Sequence, residues 1–145
     1  MRGTVRAQMR GIIALALVVG TVAALTAGCE GLDDRPASFA YIHGAIIEPN
    51  CTTSNCHSAL TAQAGLALNT IDGAYLGLTG TGCDSEGVPG EPPGNFVRPG
   101  QPEVSRLIYL LRGQEVETPM PPDIPLPDVE IDLIEQWILE GAKCD

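Results

Sequence analysis

Beyond residue 36, apolar residues recur at intervals of three and four, so the chain reads as helices joined by loops. Phe39, Ile42, Ile46 and Ile47 predict a first helix over residues 37–47, with Ser38 near its start as a cap and Pro49 as its stop. Residues 72–78 predict one or two further turns, capped by Asp72 or Thr70. Residues 79–102 are rich in glycine and proline, including Pro89, Pro92, Pro93 and Pro99, and read as a surface loop. A third helix is expected over about 103–112, with Pro102 and Glu103 suiting its first turn and Val104, Leu107, Ile108 and Leu111 forming its apolar stripe. The last helix spans 128–141 and turns Val129, Leu133, Ile134, Trp137 and Ile138 inward. Pro127, Asp128 and Glu130 favour its start, and Lys143 lies near its negative end. The expected fold is all-α, about four short helices with Gly/Pro-rich loops.

The opening residues follow another pattern. Arg2, Arg6 and Arg10 are followed by an uncharged apolar run over residues 11–25, too short to span a bilayer comfortably and laid out as a secretory signal. Leu25-Thr26-Ala27-Gly28-Cys29 resembles a bacterial lipobox, with Thr26 where a leucine is usual. This predicts a signal peptide over 1–28, a lipidated tether over 29–36 beginning at Cys29, and one domain over 37–145. Ordinary secretion, with Cys29 free or in a disulfide, is the alternative. Several acyl chains on Cys29 would anchor the protein stably, whereas one gives marginal binding. The expected location is exported and lipid-anchored to a bacterial membrane, facing the periplasm or the cell surface.

Charge narrows the partners. After the leader, Arg35, Arg98, Arg106, Arg112 and Lys143 stand against all 18 acids, a formal charge of −13. Such a surface repels nucleic acid and anionic head groups and favours a basic docking face on a partner. Large aromatics are few (Phe39, Tyr41, Tyr75, Phe96, Tyr109 and Trp137), so the domain has a thin core. A buried prosthetic group or a disulfide would offset that shortage.

The five cysteines divide by role. Cys29 is assigned to lipid, and Cys51-Thr52-Thr53-Ser54-Asn55-Cys56-His57 holds two more. Cys83 and Cys144 remain, a pair able to form a disulfide in an oxidising compartment or to stay as free thiols. Two cysteines with a histidine directly after the second suit covalent haem attachment: each thiol can add to one vinyl group, and the imidazole beside the second ligates iron. Four residues separate Cys51 from Cys56 where two are usual. Five extended residues span roughly 16–18 Å, so Cys51 can still reach its vinyl group through a bulged loop. Thr118-Pro119-Met120-Pro121-Pro122 is the second chemical element. Its prolines hold the backbone extended, which suits the Met120 thioether as a distal iron ligand, with an exposed loop methionine as the alternative. His43, in the first helix, reads as a surface or packing histidine, with a second iron-ligand role as the other reading.

In order along the chain, Cys51 to His57, Gly65-Leu66-Ala67-Leu68, Arg98-Pro99-Gly100-Gln101-Pro102-Glu103-Val104-Ser105 with Leu107, and Met120-Pro121-Pro122 running to Trp137-Ile138 and Gly141-Ala142 resemble the small class I c-type cytochrome domains of secreted bacterial proteins. The resemblance implies a cytochrome c-like bundle around one covalent haem c. It implies Cys51 and Cys56 as attachment points, His57 as proximal ligand and Met120 as distal ligand, with haem binding and electron transfer as the activity. Three functions follow: a membrane-tethered one-electron carrier serving a redox protein; a non-haem exported structural or binding module with Cys51 and Cys56 joined as a disulfide; or an enzyme with an open haem or metal site. The sequence has no second attachment motif for a dihaem peroxidase and no other catalytic set, which favours the carrier over the enzyme.

Overall fold

In the computed structural model, described for residues 33–83 and 96–145, four helices and two 3₁₀ turns follow one another, with no strand among the described residues. The fold is all-α. The expected leader, the expected anchor at Cys29 and the start of the expected tether lie outside the described residues, as does the part of the Gly/Pro-rich loop that holds Pro89, Pro92 and Pro93.

The first helix, α1, runs further than its proline suggests. It has α geometry over Phe39–Ile42, π geometry over His43–Ile47, and α geometry again over Glu48–Cys51. A proline inside an α-helix removes an N–H and drives its ring against the carbonyl four residues back. Here the preceding turn is widened, with the Glu48 N–H donating to the His43 carbonyl, and Pro49 falls in the first turn of the new α segment. The helix therefore passes through Pro49 and delivers Cys51 at its last turn. Its start is capped twice. Tyr41 N–H donates to Ser38 Oγ at 3.4 Å, while Phe39 and Ala40 N–H donate to Asp145 Oδ1 at 3.1 Å and to the Asp145 backbone oxygen at 2.8 Å.

Helix α2, Ile71–Thr79, is capped by Thr70, whose Oγ1 accepts from Gly73 N–H at 3.2 Å, and it ends at Gly80 in the left-handed region. A β-carbon on Gly77 would fall 2.4 Å from Leu66 Cδ1, so glycine there lets the 66–68 segment press against α2.

The third helix starts later than expected. Pro102–Val104 forms a 3₁₀ turn, Ser105 is extended, and α3 covers Arg106–Arg112. Ser105 is fully buried; its Oγ accepts from Arg98 N–H and donates to Gln101 O, both at 2.9 Å. These bonds compete with helix formation and break the stretch in two. Val104, expected on the apolar stripe, is consequently exposed, whereas Ile108 and Leu111 are buried.

Helix α4, Asp128–Leu139, buries Leu133, Ile134, Trp137 and Ile138 as expected. Its first turn differs: Val129 is 56 % exposed and Ile131 is 2 % exposed. Ile131 lies three and seven residues before Ile134 and Ile138, on the stripe that faces the core. Arg112 at the end of α3 bonds Asp132 at 2.6 Å and Glu135 at 2.8 Å on α4, with Asp128 at 3.5 Å. Its guanidinium pKa is raised further by the Glu135 and Asp132 hydrogen bonds, so it stays charged at any working pH.

The core gathers where α1, α2 and α4 meet. Trp137 lies 5.0 Å from Phe39 and 6.5 Å from Tyr75 between ring centroids, and its Nε1–H donates to Lys143 O at 2.7 Å. Cys83 and Cys144 are joined as a disulfide, Cα atoms 5.2 Å apart, which ties the C-terminal residues to the segment after α2.

Candidate functional site

Cys51 ends α1, and the four residues after it fold into a closed loop. Cys56 N–H donates to Thr53 O at 2.9 Å, and His57 N–H returns to Cys51 O at 3.0 Å. Thr61 Oγ1 donates to Ser54 O across the loop, and Thr53 Oγ1 donates to Cys56 Sγ at 3.0 Å. The extra residues are thus taken up as a turn rather than spent on separating the cysteines. Both thiols are free.

His57 is half-buried, and its Nδ1 lies 3.1 Å from Leu66 O. A carbonyl oxygen only accepts, so Nδ1 carries the proton and the neutral ring keeps its lone pair on Nε2. A carbonyl on Nδ1 fixes a metal-binding imidazole in one tautomer and one orientation. The carbonyl is brought into place by a reversal through Ala62, Ala64 and Gly65, at φ 41°, 56° and 77°. Non-glycine residues in the left-handed region cost of order 1 kcal/mol each, so the turn is held at some expense to stability. After it, Leu68 N–H donates to His57 O at 2.7 Å.

Beside this loop lies a small apolar cavity of about 30 Å³. Cys51 lines it together with Ile46, Leu68, Leu111, Leu126 and Trp137, among others. Burial, followed by the neighbouring Cys56, pushes the Cys51 thiol from an ordinary 9.0 up to about 11. Between these two values the folded chain keeps a proton that the unfolded chain releases, so the Cys51 contribution to stability is present below pH 9.0 and is lost as pH rises to about 11. In protein made without haem attachment, Cys51 alkylation by iodoacetamide should climb about tenfold per pH unit from neutrality upward, because only the thiolate reacts. Peptide mass spectrometry reads that rate, and a plateau well below pH 11 would show the thiol to be less buried than this.

Met120 sits in the loop between α3 and α4, half-buried, with its N–H donating to Leu110 O at 2.8 Å. Leu111 and Leu126, at the two feet of that loop, both line the cavity. The loop therefore arches from the rim that Cys51 also borders, although Met120 is not among the lining residues. Cys51, Cys56 and His57 are brought together by hydrogen bonds within one loop, whereas the Met120 backbone is held by Leu110. His43 is a packing histidine, 5 % exposed, with Nε2 3.0 Å from Leu68 O. Among the described residues no three His, Cys, Asp or Glu side chains converge as a metal-binding group.

Two participants escaped the sequence reading. The Leu66 carbonyl is a backbone group that no residue type announces. Leu126, a single apolar residue between Pro125 and Pro127, has no periodic neighbours to mark it as buried. The fold and site define a four-helix domain whose first helix presents a Cys–Cys–His loop at the lip of an apolar cavity. No known protein family, curated protein or solved structure matches the chain.

Proposed function

We propose that this protein is a monohaem c-type cytochrome with a cytochrome c-like bundle, tethered through lipid on Cys29 outside a bacterial cytoplasm, where it carries single electrons. The observation that carries this reading is the His57 ring, its Nδ1–H on Leu66 O and its Nε2 left as the free donor, one residue after Cys56 and in the same closed loop as Cys51. The donor set fits haem c: two free thiols for thioether bonds, an oriented imidazole, and apolar side chains packed beside Cys51. When bound, haem supplies an iron centre that alternates between Fe(III) and Fe(II).

The chain's own residues do the rest. Cys51 and Cys56 would hold the macrocycle, and His57 Nε2 would ligate its iron. The Met120 thioether would be the second iron ligand, a soft neutral donor that would favour Fe(II) and raise the potential. Leucine and isoleucine side chains at the cavity exclude water and keep the local dielectric low. The acidic surface receives a redox protein with a basic face and repels nucleic acid.

Protein expressed with haem-attachment machinery should be red, give a pyridine haemochrome spectrum and change its visible bands on dithionite. Tryptophan emission, from Trp137 at the cavity, should be quenched in the same sample. Met120→Ala should open the sixth position to exogenous ligands and lower the midpoint potential; an unchanged potential removes Met120 from its role. A second reading, a non-haem exported module with Cys51 and Cys56 in a disulfide, draws on the two free thiols carried by one closed loop. A colourless, fully folded preparation from cells competent in cytochrome maturation would favour it.

A further inference from the structure

Both histidines of the chain bind one three-residue strap, Leu66-Ala67-Leu68. His57 donates from Nδ1 to Leu66 O at 3.1 Å, and its own carbonyl accepts from Leu68 N–H at 2.7 Å. His43, in the wide turn of α1, lies with Nε2 3.0 Å from Leu68 O. Since that oxygen only accepts, His43 carries its proton on Nε2, the opposite tautomer to His57. Leu68 is therefore clamped from two directions, its N–H by the His57 backbone and its carbonyl by the His43 side chain.

The clamp has work to do. The strap emerges from a turn with Ala62 and Ala64 in the left-handed region, a conformation that persists only when its surroundings enforce it. On one side Leu66 is pressed against Gly77 of α2. On the other, Leu68 is buried and lines the cavity. An apolar residue at position 43 would fill the same space, but it would leave the Leu68 carbonyl without its partner. The His43 ring is itself held, 5 % exposed and 6.2 Å from the Phe39 ring. Only Ala67 separates Leu68 from Leu66, whose own backbone is extended, so a displacement of the Leu68 carbonyl carries through to the Leu66 carbonyl.

We infer that His43 is a positioning residue for His57: by holding Leu68 it sets the Leu66 carbonyl, which keeps the proton of His57 on Nδ1 and leaves Nε2 free to ligate. The purpose of this arrangement rests on the haem reading, but its existence does not, and the two are tested apart.

Proton–nitrogen correlation spectra of the imidazoles, recorded on protein made without haem attachment and above the imidazole titration range, report each tautomer directly. Wild-type protein should show His57 as Nδ1–H and His43 as Nε2–H. His43→Phe should turn His57 into a mixture of tautomers and lose exchange protection at the Leu68 amide. His43→Gln, which offers an N–H at a similar reach, should restore both. Where the phenyl ring prevents folding, His43→Asn, polar but too short to reach Leu68, carries the same expectation as His43→Phe. In haem-loaded protein the weakened imidazole donor of His43→Phe should move the midpoint potential upward, with His43→Gln at the wild-type value. A folded His43→Phe or His43→Asn that keeps His57 wholly as Nδ1–H overturns the inference, as does loss of that tautomer in His43→Gln. A colourless preparation would sink the haem reading while leaving the tautomer result to stand or fall on its own.

Discussion

Replacing Trp137 with alanine is expected to remove about 3–5 kcal/mol of stability, the range for deleting a buried aromatic. A domain of this size holds roughly 5–15 kcal/mol in total, so much of the folded population goes with it. Trp137 is 1 % exposed, packs against Phe39 and Tyr75, and is the point at which α4 meets α1 and α2. It also lines the apolar cavity, so its removal enlarges a space that neighbouring leucines and isoleucines already fail to fill. The cost of a large-to-small change grows with the volume left empty, which places this one toward the upper end. The lost Nε1–H bond leaves the Lys143 carbonyl without its donor as well. Urea unfolding followed by far-ultraviolet circular dichroism measures the loss. Trp137→Phe should give a clearly smaller one, and a change below about 1 kcal/mol for Trp137→Ala would show that the core does not turn on this side chain.

Cys144→Ser should destabilise by about 4 kcal/mol in the chain-entropy account, given the 61-residue separation between Cys83 and Cys144. The effect has a native-state part too. The residues around Cys144 join three elements: Ala142 O accepts from Tyr75 OH of α2 at 2.8 Å, Lys143 O accepts from Trp137, and Asp145 caps the first turn of α1. Freeing this tail loosens the start of the helix whose far end carries Cys51. Cys83→Ser should give the same loss, and the double replacement should add little to either, because one covalent link is being removed. Thermal unfolding with and without reductant checks this on unaltered protein, and an unmoved midpoint would show that the bridge contributes nothing.

How far the fold could be read from residues depends on what each element answers to. The body of α4 was legible because Leu133, Ile134, Trp137 and Ile138 form a long stripe that only a helix can bury together. Its first turn was not, since Val129 and Ile131 are equally apolar and only the packed structure selects Ile131 for burial. Thr70 and Asp72 were both credible caps for α2; the hydrogen bond to Gly73 N–H assigns the role to Thr70. Proline at 49 argued for a helix stop, yet the π turn before it gives the ring room, a solution available once the helix is packed against α2 and α4. Ser105 shows the reverse: a short polar side chain inside an apparent helix was free to bond Arg98 and Gln101 because the loop returns to it.

The candidate site divides along the same line. Side-chain chemistry marked Cys51, Cys56, His57 and Met120, since thiol, imidazole and thioether are rare groups whose order along the chain is visible without coordinates. The cysteine count also left Cys83 and Cys144 as a pair, though not the certainty that they meet. Folding alone supplied the Leu66 carbonyl at His57, the second histidine behind it, and the cavity assembled from all four helices, Leu68 and the foot of the Met120 loop. Periodicity and residue type speak for groups within one element. A carbonyl oxygen is the same on every residue, so which one meets an imidazole is decided by a chain reversal and by long-range contacts that no local pattern encodes.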